Sequence, residues 1–436
     1  MNIARWLLLF LILPIPSAVS ADDWILKSPR PDIAIEGTSV DGELTLTSRD
    51  EEGLNGYWER EFPLGEAGWV EFLASRKATG VEYERRSCVV RIEWKGASGE
   101  SVASPYPVNS DYFGDVVPLA KPDFPKDGNA QGDGWVGVSG RYRVPEKAVS
   151  AVVQLHLRWA PGGSVIWKDV SLKAAEPLPP RKVKLAAVHT NLSGSGRTVA
   201  ENRSLFVPLI EEAASQGADL VVLPELLTCK GVTHDYASVA ETIPGATTDF
   251  FGALAKEHDC YLVVGMPEKS GILVYNVAVL IGPDGKVVGK YRKVTLPREE
   301  IDRGIAPGSE YPVFETRFGI VGLMVCYDVF FPEVARRLAM SGAEVIALPI
   351  WGGNPRLAAA RCAENGIYLV SSTYTDHSKN WMKSAIWDRE GNRLETAEEW
   401  NSVIVREVDL SQPNYWYGLG DFQSRIAREA PVWNAE

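Results

Sequence analysis

Up to residue 173 the chain alternates apolar and polar residues with the period of a half-buried strand. Cys88-Val89-Val90-Arg91-Ile92-Glu93-Trp94 and Val153-Gln154-Leu155-His156-Leu157-Arg158-Trp159 are two examples. Turn-rich spacers at Gly53 to Gly56 and Pro161-Gly162-Gly163 separate such runs, which predicts an antiparallel β-sandwich over residues 22–173. From residue 182 the pattern changes. Continuous apolar runs, Val183 to Val188, Leu220 to Leu223 and Tyr261 to Gly265, now alternate with amphipathic stretches at Arg203 to Gln216 and Phe250 to His258. That alternation predicts a layered α/β domain over residues 182–436. The proline-rich stretch 174–181 between the two halves reads as a semi-rigid linker.

Three strand-like segments of the second half end at a residue with chemistry. Gly319 to Val325 reads as a strand that delivers Cys326 to its carboxyl end, with Pro332 and Glu333 suited to the first turn of a following helix. An elbow of this kind places a side chain beside free backbone N–H groups, here that of Tyr327, which can hold a developing oxyanion. Ala218 to Leu223 ends at Pro224 and then Glu225. A turn at Pro283-Asp284-Gly285 launches a strand whose last basic residue is Lys293. A lone cysteine is more often packing than chemistry, and a lone glutamate or lysine is more often a solvated charge. Three strand ends offering a carboxylate, an amine and a thiol make a stronger combination.

Those segments resemble the signatures of the nitrilase superfamily, the carbon–nitrogen hydrolases: a glutamate after Leu-Pro, a lysine in Tyr291-Arg292-Lys293, and Cys326-Tyr327-Asp328 followed by Phe331-Pro332-Glu333. The resemblance runs from about Val183 to the C-terminus and takes in Tyr275-Asn276-Val277-Ala278 and Arg361-Cys362-Ala363-Glu364. It implies an α-β-β-α sandwich that pairs into a homo-oligomer, and a small-molecule amide, N-carbamoyl or nitrile substrate. Glu225 would be the general base, Lys293 and the Tyr327 N–H the oxyanion donors, and Cys326 the nucleophile of a ping-pong reaction that needs neither metal nor cofactor. A second family glutamate falls at Glu300 or its neighbour Glu299, with spacing favouring Glu300. Trp351, at the end of another strand-like run, is either a pocket wall or a core residue. Thr295 and Phe330 stand where many relatives carry histidine and arginine, so the substrates of the best-studied branches do not carry over. An acyltransferase using the same thioester, or a glycan-binding protein on a non-catalytic scaffold, are the alternative readings.

Composition refines this picture. At 436 residues, with 45% hydrophobic and 23% charged residues, the chain is a folded protein of two expected domains. A formal charge of −12 without a compensating basic tract argues against nucleic acid as a partner. Residues 1–21 carry a basic start at Arg5, the apolar run Trp6 to Leu13 and a small-residue end, the pattern of an export signal, with no membrane span expected in the mature chain. Five cysteines cannot all pair, so a free catalytic thiol is expected, with Cys229, Cys260 and Cys362 structural. Five scattered histidines lack zinc-site spacing, and Gly194-Ser195-Gly196-Arg197 lacks a full phosphate-loop ending. The first domain resembles jelly-roll accessory modules of exported enzymes, some of which bind carbohydrate; Trp58, Trp69, Trp94 and Trp159 are candidates for a carbohydrate-stacking face there, although strand tryptophans at alternating positions more often belong to the core.

Overall fold

A computed structural model describes residues 24–108 and 117–432; the export signal read in residues 1–21 lies outside them. In the first half every strand pairing is antiparallel. A four-stranded sheet runs in the order Ile25–Lys27, Asn55–Pro63, Ser150–Arg158, Val90–Lys95. A six-stranded sheet runs Glu36–Val40, Glu43–Thr47, Ser164–Ala174, Trp69–Thr79, Val136–Arg143, Lys126–Ala130. Alternation determines which residues point inward: Leu44, Leu46, Phe72 and Trp167 of one sheet meet Trp58, Ile92, Trp94 and Leu155 of the other in one core.

That core holds two of the four candidate tryptophans of a stacking face. Trp58 and Trp94 are buried inside it, the first donating Nε1 to the Thr45 carbonyl at 3.1 Å and the second to Asp123 Oδ2 at 2.7 Å. Trp159 is exposed, but the guanidinium groups of Arg86 and Arg158 lie over its ring at 4.9 and 4.5 Å. The four indoles therefore do not form one open platform.

The second half contains two six-stranded mixed sheets. One runs Val287–Arg292, Leu273–Ile281, Tyr261–Ser270, Leu220–Val222, Lys182–His189, Ser402–Asp409; the other runs Val313–Glu315, Ile320–Leu323, Val345–Pro349, Tyr368–Ser372, Ala385–Trp387, Arg393–Thr396. Their central strands are parallel and apolar on both faces, as strands covered from two sides must be. Leu185, Val222 and Val263 meet Val345, Ala347 and Leu369 between the sheets. The opposite side of the first sheet, with Val188, Val221 and Val264, packs on Phe206, Ile210, Phe251 and Leu254. Those four residues come from or flank the helices Val207–Ser215 and Ala246–Glu257. Helices Pro332–Met340 and Pro355–Asn365 bury Val334, Leu338, Ala358 and Cys362 against the second sheet. The layers thus run helix, sheet, sheet, helix.

The helix expected around Arg203 to Gln216 is Val207–Ser215, and a separate short helix, Val199–Ser204, runs up to it as the first of the two. Pro208 falls in the first turn of the second, where its missing N–H costs nothing.

Besides the 174–181 stretch, the C-terminal segment ties the halves together. The Tyr415 hydroxyl accepts from the Lys121 N–H at 2.8 Å and donates to the Leu119 carbonyl at 3.2 Å. In the helix Phe422–Glu429, Arg428 donates to the Pro125 carbonyl and the Ala427 carbonyl accepts from Arg85.

Candidate active site

Sheet direction places the candidate residues together. Leu220–Val222 is parallel to Tyr261–Ser270, and Val287–Arg292 reaches the same direction through two antiparallel pairings, so Glu225 and Lys293 leave the first sheet at one edge. Ile320–Leu323 and Val345–Pro349 are parallel in the second sheet, and Cys326 and Trp351 leave it at its carboxyl edge. This is where layered α/β proteins place ligands.

Glu225 and Lys293 are almost fully buried. Lys293 Nζ donates to Glu225 Oε1 at 3.1 Å and to Glu300 Oε1 at 2.5 Å. Burial opposes the lysine charge, but Glu225, the Cys326 sulfur and Glu300 outweigh it, so the ammonium is held above its ordinary range. Asn276, an amide buried within the apolar strand Leu273–Ile281, donates to Glu225 Oε1 at 2.7 Å and to Glu300 Oε1 at 3.3 Å. The Trp351 backbone N–H donates to Glu225 Oε2 at 2.9 Å. Glu225 therefore has both oxygens oriented before any substrate arrives.

Two adjacent carboxylates were open in the sequence. In the short helix Arg298–Ile301, Glu300 turns inward and is buried while Glu299 faces solvent at the cavity rim. Burial raises the Glu300 carboxyl despite the Lys293 ammonium beside it.

Cys326 opens a 3₁₀ turn, Cys326–Phe330, that precedes the helix Pro332–Met340. Its φ of +45° lies in the left-handed region, and Leu226, next to Glu225, has φ +47°. Left-handed backbone at non-glycine positions of this kind concentrates at functional sites. Sγ lies 3.7 Å from the Gly352 carbonyl oxygen. Burial and then the Glu225 carboxylate push the thiol well above its usual range, with Lys293 opposing them. Tyr327 is half-buried at the cavity wall, its ring 5.3 Å from those of Phe330 and Phe331.

Asp328 was not singled out in the sequence, though it directly follows the Cys-Tyr pair. Fully buried, it accepts from the Tyr291 hydroxyl at 2.8 Å, the Thr295 N–H at 3.1 Å, the Thr295 hydroxyl at 2.6 Å and the Val325 N–H at 2.9 Å. These bonds join the cysteine turn to the segment carrying Lys293. Gly265 has the same kind of role. A Cβ there would meet the Pro224 carbonyl oxygen at 2.5 Å and Glu225 Cα at 2.6 Å, so only glycine lets the neighbouring strand lie against the glutamate backbone.

Glu225, Glu300 and Cys326 border one cavity of about 790 Å³. Trp351 is 49% exposed and lines this cavity, so its side chain is a wall and not the core residue that remained open. All five cysteines are free and buried; Cys229 borders the cavity as well. Among the described residues no cluster of His, Cys, Asp or Glu is arranged to hold a metal ion, and no helix is long and apolar enough to cross a membrane.

The carbon-nitrogen hydrolase family model matches residues 184–416. A nitrilase of Pyrococcus abyssi (strain GE5 / Orsay) is 39% identical over 223 residues, spanning 48% of this chain and 84% of that protein. The omega-amidase NIT2 of Xenopus tropicalis is 31% identical over 231 residues, again 48% of this chain and 84% of the relative. Among solved structures, Saccharomyces cerevisiae Nit3, a member of branch 10 of the nitrilase superfamily, aligns with a TM-score of 0.47 and 27% identity, covering 54% of this chain and 93% of that one. The chain belongs to the carbon-nitrogen hydrolase family, in the nitrilase superfamily, and is an enzyme of that class.

Proposed function

We propose that the chain is an exported amidase in which Cys326 carries the acyl group, Glu225 moves the protons and Lys293 holds the oxyanion. The observation that carries this reading is the Lys293 ammonium fixed between Glu225 and Glu300 beside the cavity that Cys326 borders. Glu225 takes the thiol proton as sulfur attacks the amide carbon. The carbonyl oxygen becomes an oxyanion held by Lys293 and the Tyr327 N–H, and a fixed donor of this type is worth about 2.7–4 kcal/mol. Collapse breaks the C–N bond, and Glu225 returns its proton to the departing ammonia or amine. Water then gives a proton to Glu225 and attacks the thioester, releasing the carboxylic acid, and the sulfur regains its proton. Glu300 does not touch the reacting atoms in this scheme; it positions Lys293. Trp351 contributes its N–H to Glu225 and its ring to the substrate wall.

Residues 22–173 would form a jelly-roll-like accessory domain carried on the 174–181 linker, with residues 1–21 directing export. The antiparallel pairings and common core of the first half support the former, and the charge and apolar pattern of the first residues supports the latter.

Incubation with a panel of primary amides, N-carbamoyl compounds and nitriles tests the central claim. Ammonia release that disappears in Cys326→Ala, with a trapped acyl adduct on Cys326 in the unmodified enzyme, is expected. Turnover that survives Cys326→Ala would overturn it.

A further inference from the structure

The chemistry above uses only part of the cavity lining. That lining also includes six aromatic residues, Tyr236, Tyr327, Phe330, Trp351, Tyr374 and Trp381. Three of them are among the most exposed large apolar residues of the catalytic half: Trp351 at 49%, Phe330 at 42% and Trp381 at 40%. Exposed aromatics gathered at one mouth, and not scattered singly, mark a surface awaiting a ligand. A volume of about 790 Å³ is that of a pocket for a ligand of many heavy atoms; a short aliphatic amide would leave most of it to water.

Trp381 defines the geometry. It lies in the loop between the strands Tyr368–Ser372 and Ala385–Trp387, and its ring meets that of Trp351 edge-on at 6.0 Å and 69°. Its Nε1 lies so close over Gly352 that a Cβ there would be 1.4 Å away. The carbonyl of that same Gly352 faces Cys326 Sγ, so the indole pair begins within one residue of the nucleophile. Loop 373–384 is braced: the Thr373 hydroxyl donates to the Trp351 carbonyl at 2.5 Å, and the Thr373 N–H donates to the Ser384 hydroxyl at 2.9 Å.

We infer that the preferred substrates are primary amides whose acyl group carries an aromatic ring a few bonds from the carbonyl, and that Trp381 with Trp351 is the specificity-determining pair that holds this ring. The inference rests on the amidase reading and names the substrate class of that site. Ring edges and faces set at this angle favour another ring in edge-to-face or offset contact. The acyl group is the part retained on sulfur, so a wall starting at Gly352 serves both the attack and the thioester.

The experiment compares kcat/KM for acetamide and 3-phenylpropanamide in the full chain, in Trp381→Ala and in Trp381→Phe. It adds tryptophan-fluorescence titration of both amides on Cys326→Ala. A ratio favouring the aryl amide by about 100-fold or more is expected, falling at least about 10-fold in Trp381→Ala and recovering to within about 3-fold in Trp381→Phe. An aryl preference that is absent, or that Trp381→Ala leaves in place, overturns the inference. If neither amide is turned over, the amidase reading fails. Titration then decides the pocket assignment by itself: tighter binding of the aryl amide upholds it, and equal binding of the two amides overturns it.

Discussion

Trp351 donates its backbone N–H to Glu225 Oε2 at 2.9 Å, so a residue leaving the second sheet orients a carboxylate that leaves the first. With Lys293 and Asn276 on the other oxygen, the glutamate is fixed from both sheets and from the strand Leu273–Ile281. This arrangement lets its proposed role as base be tested apart from any role as scaffold. Glu225→Gln keeps the shape and one acceptor but cannot take a proton. The expected outcome is a fall in kcat of about 10²–10⁴-fold, the usual contribution of a positioned base, with a folded protein by thermal melt. A variant retaining more than about a tenth of the rate would show that another group accepts the thiol proton.

Gly265 tests how closely the glutamate must be positioned. The atoms that an added Cβ would meet, the Pro224 carbonyl oxygen and Glu225 Cα, are backbone and cannot rotate away as a side chain could. Gly265→Ala should therefore displace Glu225, and a misplacement of about 1 Å costs on the order of 100-fold in rate. Overpacking at a buried site also costs about 1–3 kcal/mol of stability. Steady-state ammonia release and a urea melt check the two effects; an active, equally stable variant would mean that the strand edge is more pliant than the close approach implies.

How much of this was legible in the sequence depended on whether a residue ended a strand-like run. Glu225, Lys293 and Cys326 do, and within each mixed sheet such strands run in one direction, so their placement at one edge followed from pattern and resemblance together. Glu299 and Glu300 differ only in which side of a single helical turn faces the lysine, a difference of about 100° in direction that spacing alone does not resolve. Trp351 resembled core because it follows a buried strand, but that strand stops at Pro349, and two residues later the chain is already beyond the sheet. Trp381 gave no signal, lying in a polar loop without periodicity. The same holds for Arg428: an arginine on an amphipathic C-terminal helix reads as a solvated charge, yet this one is buried against the first half. Asp328 and Asn276 carry a legible signal, since a polar residue inside an apolar run requires buried partners.

Asp328 gives a prediction about the joint between nucleophile and lysine. Its Oδ1 accepts both the Thr295 N–H and the Thr295 hydroxyl. Burial raises its carboxyl, and the Thr295 hydroxyl is the strongest of the contacts that oppose this. Thr295→Val removes that hydroxyl while preserving shape and the N–H bond. A buried hydrogen bond to a charged group contributes about 1.5–3 kcal/mol, and roughly 2–4 °C of Tm accompany each kcal/mol in a domain of this size. A drop of roughly 3–12 °C follows, together with a lower kcat, because the cysteine turn loses a tie to the Lys293 segment. An unchanged melting temperature would mean that the remaining donors satisfy Asp328 alone.

Acid stability should depend on two histidines, one in each half. His156 is buried with its ring 4.6 Å from that of Tyr57, and burial, followed by Arg158 and Arg91, lowers it to about 3. His189 is buried under Trp400, with ring centroids 4.6 Å apart, and burial lowers it to about 4 against the opposing Thr373 carbonyl. Above the unfolded value near 6.5 both states are neutral, and the stability tied to the neutral rings is fully present. As pH falls below that value the unfolded chain binds protons that the folded chain refuses, so stability declines until the folded values are reached. Each histidine contributes a slope of about 1.36 kcal/mol per pH unit within that window. Melting curves at pH 7.5, 5.5 and 4.5 should show a steeper acid loss for the wild type than for His156→Gln/His189→Gln, whatever the variant loses at pH 7.5. Parallel pH profiles for the two proteins would mean that neither ring is held neutral by the fold.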